Sequence, residues 1–379
     1  MPIRTGPLNG VKVIELAGIG PGPYAGQLLA DMGADVVVID RPGGGMPKAV
    51  DGRGKRSIVL DLKKPEAVEA LLKLIATADV LIEGLRPGVT ERMGVGPDSC
   101  HSVNPRLIYG RMTGWGQTGP WSQMAGHDIN YISMTGVLNA IGKDGQPPVP
   151  PLNMVGDFGG GSMFLVTGIL AALIERGVTG KGTVVDAAII DGTHSLMSFV
   201  HGMAGLGQWQ TKREGNLLDG AAPFYRCYTT ADGKFMAVGC IEPQFFAAMM
   251  ERLPIGAETY GGQHDRNKWA AQHQMLEGIF ASKTRDDWAA IFALTDACVT
   301  PVLDYVEAAA HPANAERNAV VNDGHWLHPQ IAPRFSGHNQ ADSFVIATKG
   351  ASYAEVLSAA GLSADEIASL ITAGAIVAS

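Results

Sequence analysis

Three short strings each hold one proton-transfer group in a setting that acid–base chemistry would use. They are Gly126-His127-Asp128-Ile129-Asn130-Tyr131, Val155-Gly156-Asp157-Phe158-Gly159-Gly160-Gly161 and Ile241-Glu242-Pro243-Gln244-Phe245. An imidazole titrates near neutrality, a carboxylate beside it can hold one tautomer, and a second carboxylate can act as the opposite acid or base. His127, Asp157 and Glu242 are therefore candidate catalytic residues of a divided site. A histidine among ten is more often structural, so the roles depend on whether the fold brings these groups together.

The elements around Asp157 are the most readable. Residues 162–175 are apolar nearly all round and predict a buried helix, with Asp157 to Gly161 at its mouth. A carboxylate there can cap free N–H groups, and a plain N-cap is the commoner use of such an aspartate. The glycines allow close approach of a ligand, and the helix N-terminus would favour the negative charge of a thioester enolate.

Upstream, strand-like runs at 11–16, 36–39, 57–60, 80–82 and 107–109 alternate with helical stretches at 23–32 and 65–77. That alternation predicts an α/β fold with a parallel, Rossmann-like sheet. Texture changes after Met197, where Gly, Gln and Trp mix without period. This marks 191–221 as a linker to a smaller α+β domain, 222–310, with strands at 226–230 and 235–239. Residues 353–359 and 364–371 read as two closing helices.

Bulk properties bound the function. The chain has 379 residues, 46% of them hydrophobic, enough for a large core. Net charge is −8, yet residues 1–120 carry 14 Lys and Arg against 12 Asp and Glu. A relatively basic first third within an acidic protein suits a small anionic ligand and argues against nucleic acid. Cys100, Cys227, Cys240 and Cys298 form no CxxC pair and lie in stretches that read as buried, which points to a reducing compartment. His325 and His328 lack nearby ligands, so no metal is expected. The absence of a basic-then-apolar leader and of an 18-residue uninterrupted apolar run predicts a cytoplasmic protein with no membrane segment.

The strings GHDINY, GDFGGG and AVGCIEPQF, together with ELAGIGPGPYAG, GRGKRSIVLDLK, RPGVTERMGVGP, RLIYGRMTGWGQTGP, TGKGTVVDAAIIDG and DACVTPVL, resemble those of the α-methylacyl-CoA racemases within the family III CoA-transferase (CaiB/BaiF) superfamily. The resemblance runs in order from about Leu8 to about Phe335. It implies that His127 and Asp157 act on opposite faces of C2 of an acyl-CoA, with Glu242 pairing with His127. It places contacts to the CoA thioester at Arg41, Leu60, Asp61, Leu62, Lys63, Gly84, Leu85, Arg86, Arg92, Gly126, Asp128 and Tyr131. The stretch 43–51 is short and glycine-rich and departs from the pattern. The resemblance further implies no cofactor beyond the CoA of the substrate, and an interlocked homodimer. The large CoA-binding domain would be built from 1–190 with 325–379, reached by a return linker at 311–324. Met134, Met154, Met163 and Met197 offer a pliable apolar wall for the acyl chain.

Three alternatives stand beside this reading. Gly20-Pro21-Gly22-Pro23-Tyr24-Ala25 after a strand, with Asp40 ending the next, fits the GxGxxA dinucleotide fingerprint of an NAD-dependent oxidoreductase. Two prolines in the turn remove N–H donors a pyrophosphate would need. A CoA-transferase would use Asp157 as a nucleophile to form an acyl anhydride. A non-catalytic acyl-CoA-binding protein would use none of the three groups.

Overall fold

Six segments pair side by side in one sheet: β1 (Lys12–Leu16), β2 (Asp35–Asp40), β3 (Arg56–Val59), β4 (Val80–Glu83), β5 (Ile108–Thr113) and β6 (Thr183–Ala188). Their order is β3-β2-β1-β4-β5-β6, and every pairing is parallel. The computed structural model describes residues 6–44, 49–325, 327–338 and 345–377. They form two units: Met1–Thr135 with Pro151–Leu196 and Asn318–Ser379, and Gly136–Pro150 with Met197–Arg317.

In the first unit, successive strand residues alternate between two cores, as the two-residue period of a strand requires. Ile14, Val37, Ile58 and Leu81 face helix α2 (Pro65–Ile75) and the helices Tyr353–Ala359 and Ala364–Thr372. Val13, Val36, Val80 and Ile108 face α1 (Pro21–Asp31) and the long helix 163–179. Covered on both faces, the strands read as near-continuous apolar runs, which is why the sequence marks them well. Within this sheet the strand missed was β6, an edge strand whose run passes into the helix at Ile189 with no Gly or Pro to end it.

The sequence order reverses between β1 and β4, so the loops leaving their carboxyl ends diverge and open a crevice there. Ion pairs brace this unit, two of them buried. Lys55 Nζ lies 2.7 Å from Glu15 Oε2, with side chains 1% and 2% exposed, and also donates to Pro23 O at 2.7 Å. A Cβ on Gly26 would sit 1.9 Å from Glu15 Oε2, so only glycine leaves room for the pair. Arg53 pairs with Asp31, and Arg56 with Asp35 and Glu355. Glu83, at the end of β4, accepts from Arg111 Nε at 3.0 Å and from Leu85 N at 2.7 Å.

Other expectations are corrected. Of the four cysteines only Cys100 and Cys240 are buried. Cys227 lies on the exposed side of an edge strand, and Cys298 is exposed in a left-handed turn with φ 50°. The stretch read as a linker carries helices Ile189–Leu196 and Ser198–Gly205, and the return stretch carries helix Pro312–Glu316 and strand Val320–Asn322. The helical run Met154–Thr179 is long and apolar enough to cross a membrane. Its residues Leu165, Val166, Ile169 and Ala172 are nevertheless buried in the core beside β5, as in a core helix.

The second unit centres on three antiparallel strands, β7 (Tyr225–Thr229), β8 (Phe235–Gly239) and β9 (Val299–Pro301), in that order. Trp288, Phe280, Tyr228 and Phe224 fill its core. Segment 136–150, within the range read as the large domain, clusters here because Arg213 donates to the carbonyls of Lys143, Asn139 and Gln146.

Lys55→Met should remove the ammonium from beside the buried Glu15 carboxylate, lowering stability by about 3–5 kcal/mol in urea denaturation. Adding Glu15→Gln should recover most of it. A loss under about 1 kcal/mol would show that the pair is solvated.

Candidate active site

Asp157 does not cap a helix. The chain from Met154 to Ser162 is wound as a π-helix and runs directly into α4 (Met163–Thr179), whose preceding residue Ser162 is already helical (φ −57°, ψ −43°). Phe158 N accordingly bonds Asn153 O at 3.2 Å, five residues back. The amides that would have formed an oxyanion site at a helix terminus are inside the run. Wide π turns are rare, and they frequently occur at functional sites because they push one side chain out of register.

Glycine lets this run pack tightly. A Cβ on Gly156 would lie 2.4 Å from Asp128 Oδ2, and one on Gly160 2.3 Å from Thr193 Oγ1. Reciprocally, a Cβ on Gly192 of α5 (Ile189–Leu196) would lie 1.9 Å from Gly160 O. On the side of α1, Ser162 Oγ donates to Pro21 O at 2.8 Å, and the Tyr24 and Phe158 rings are 4.5 Å apart. Asp157 is thereby held against the start of α1, where a Cβ on Gly20 would be 3.2 Å from its Oδ2.

That placement removes the dinucleotide reading. A pyrophosphate would need the amino end of α1, and a carboxylate already faces it at Gly20. Asp40, the proposed ribose acceptor, takes the Ser57 hydroxyl at 2.6 Å and is 5% exposed.

His127 is exposed and precedes the short helix α3 (Asp128–Ser133). Its amide donates to Asn130 Oδ1 at 3.0 Å, which fixes the backbone and leaves the ring at the surface. Asp128 is buried, and its Oδ2 accepts Asp157 N at 2.7 Å, a contact across 29 residues. Tyr131 stacks edge-on against Trp115 with centroids 4.9 Å apart, and its hydroxyl donates to Gly126 O. A Cβ on Gly114 would lie 2.0 Å from this ring.

Electrostatics tie His127 and Asp157 together. Burial, reinforced by the nearby Asp128 charge, pushes the Asp157 carboxyl up from 3.8 to about 6, while a hydrogen bond from Asn153 and the charge of His127 pull it down. Near neutral pH both forms of Asp157 are accessible, as a group that must give and take a proton requires. Burial raises Asp128 as well, against the pull of the Asp157 and Gly156 amides. Glu242 lies in the second unit as the exposed residue before helix Pro243–Met250. Gln263 Nε2 holds its chain by donating to Ile241 O at 2.8 Å and Cys240 O at 3.0 Å.

The remaining expected contacts follow strand ends. Arg41 follows β2, Leu60 to Lys63 follow β3, and Gly84 to Arg86 follow β4, all on the carboxyl edge of the sheet. Arg41, Lys63, Gly84, Arg86 and Arg92 are exposed. Leu60, by contrast, is 1% exposed and belongs to the core, Leu62 packs against it, and Asp61 turns back to accept Lys63 N. Of the glycine-rich stretch 43–51, residues 45–48 lie outside the described residues. A cleft of about 350 Å³ is lined by Trp115, Trp121, Met134, Ile190 and His194, of which only Met134 had been read as part of an acyl-binding wall. Its signal was the paired tryptophans of the Gly114–Trp121 string. Among the described residues no three metal-ligating side chains gather, and His328 is paired with Asp323.

Comparison with known proteins adds three findings. The profile of CoA-transferase family III matches residues 8–343. Alpha-methylacyl-CoA racemase from Mus musculus is 46% identical over 330 residues, 87% of this chain and 86% of that protein. The Homo sapiens protein of the same name is 45% identical over 327 residues, 86% of each. The crystal structure of a CAIB/BAIF family protein from Brucella suis superposes with a TM-score of 0.82 and 26% identity, covering 94% of this chain and all of that one.

The raised carboxyl has a consequence for stability. A folded-state value of about 6 against 3.8 means that Asp157 favours folding when protonated. That contribution is fully present below 3.8 and is lost as pH rises through about 6. Asp157→Asn should therefore gain in melting temperature over the parent between about pH 4 and about pH 7, the difference levelling off above. A difference independent of pH would show that the carboxyl is not raised.

Proposed function

Because this chain belongs to CoA-transferase family III, we propose that it epimerises C2 of 2-methylacyl-CoA thioesters by moving one proton between two side chains. Asp157 carries this reading: its carboxyl, lifted to about 6 in the electrostatic reach of His127, can both accept and donate near neutrality. A nucleophilic carboxylate gains nothing from being part-protonated, so proton transfer fits it better than anhydride formation. Relatives 45–46% identical along most of their length and named alpha-methylacyl-CoA racemase support the substrate class.

In one direction the Asp157 carboxylate takes the C2 proton and the C–H electrons pass into the thioester as an enolate. Protonated His127 then delivers a proton to the opposite face of C2 and becomes neutral. In the other direction neutral His127 is the base and protonated Asp157 the acid. Glu242 is assigned the role of holding the His127 tautomer. The reaction needs no cofactor beyond the CoA of the substrate. The exposed cations Arg41, Lys63, Arg86 and Arg92 suit CoA phosphates because each follows the carboxyl end of a sheet strand or the loop beyond it. A homodimer is part of the proposal. Met163, Ile174 and Val178 of α4 are 48%, 74% and 88% exposed, an apolar stripe on a helix that had been expected to be buried on all sides. The proposed large and small domains, 1–190 with 325–379 and 222–310, overlap the two compact units without sharing their bounds, and a cytoplasmic location remains part of the reading.

In D₂O the chain should exchange the C2 hydrogen of both enantiomers of a 2-methylacyl-CoA. His127→Ala should slow exchange from one enantiomer by about 10²-fold or more and spare the other. Equal residual rates would sink the facial assignment. Transfer of CoA to a free carboxylic acid, or trapping of an Asp157 acyl group by hydroxylamine, at rates like that of exchange would place the protein among the transferases.

Arg92→Ala should weaken CoA thioesters by about 10- to 100-fold and leave pantetheine thioesters nearly unchanged. Equal weakening of both would show that Arg92 serves the fold or the acyl end.

A further inference from the structure

Asp128 is a buried carboxylate that the proton-transfer scheme leaves unused, and the resemblance had placed it among the contacts to CoA. It is 6% exposed, and Oδ2 receives Asp157 N at 2.7 Å while the Gly156 amide also points to the carboxylate. Its Oδ1 is buried without a hydrogen-bond partner among the described residues. Gly156 is the residue that allows this approach, since a Cβ there would be 2.4 Å from Oδ2 and 2.9 Å from Ile132 Cγ2. A charged oxygen left unpaired in the interior is costly and is retained only where something offsets it.

We propose that Asp128 is a positioning residue for the acid–base pair: its carboxylate clamps the amides of Gly156 and Asp157 and fixes a negative charge beside the Asp157 carboxyl. The inference rests on the proton-transfer role of Asp157. Two like charges in one site cannot both form easily, so the second carboxyl keeps its proton to higher pH. The clamp and the charge come from one side chain, so position and protonation of Asp157 are set together. The titratable groups facing Asp157 are Asp128, His127 and Tyr131, all on the 127–131 segment. Asn153 hydrogen-bonds the carboxyl from its own turn. Tyr24 of α1 stacks on Phe158, and Asp191 and His194 of α5 are exposed.

The test is the pH dependence of kcat/KM for C2 epimerisation. Asp128→Asn keeps an oxygen for the amides and removes the charge. The acid limb should therefore move to lower pH by about one unit, with KM changed less than about twofold. A rise in KM with the limb unmoved would make Asp128 a ligand contact and overturn the proposal. Asp157→Asn should abolish epimerisation, since one face of C2 then lacks its acid or base. Epimerisation retained by that variant would instead overturn the underlying role of Asp157. The unsubstituted protein gives a reading independent of the variants' folding. In its ¹³C-carboxyl spectrum Asp128 should respond at the pH where Asp157 titrates, and an Asp128 signal indifferent to that step would refute the shared field.

Discussion

The constraint on which the site depends is the close approach of backbone to backbone and backbone to carboxylate around the run 154–162. Gly156 meets the Asp128 carboxylate and Gly160 meets Thr193, while across the same contact Gly192 meets the Gly160 carbonyl. None of these positions has room for a Cβ, and a packed interior transmits any displacement to its neighbours. The π winding then follows as the geometry that threads such a run between α1, α3 and α5 while keeping Asp157 turned toward Gly20. Position and ionisation of the carboxyl therefore share one cause, because the packing that holds Asp157 also desolvates it.

The cations of the sheet unit divide between internal pairs and the surface. Arg53, Lys55 and Arg56 come from one basic string, and each is paired with an acid on a neighbouring element. Arg111 bridges Glu83 and Glu91, and through Glu83 it fixes the backbone at Leu85. Arg41, Arg86 and Arg92, by contrast, are exposed.

Much of this was legible in the chain. β-branched runs between turns marked five of the six parallel strands, because a strand buried on both faces is written as continuous apolar sequence. The glycines after Asp157 marked a place of close approach, although the partner was taken to be a ligand and proved to be Thr193 and Ile189 of α5. The apolar helix after them was read as wholly buried, since composition reports hydrophobicity and not which face the rest of the chain covers. Cys227 was read as buried for the same reason, and edge position decided otherwise.

By itself the sequence determined the type of most elements of the first sheet, its parallel character and the supply of an imidazole and carboxylates, because local periodicity and residue chemistry are properties of neighbours along the chain. Only the tertiary structure decided that Asp157 sits within a π turn, that Asp128 serves its amide, and that its carboxyl is raised to about 6. Desolvation and Coulomb interaction depend on burial and on distances between residues far apart in sequence. No local pattern records a contact across 29 positions, so protonation was set by the fold.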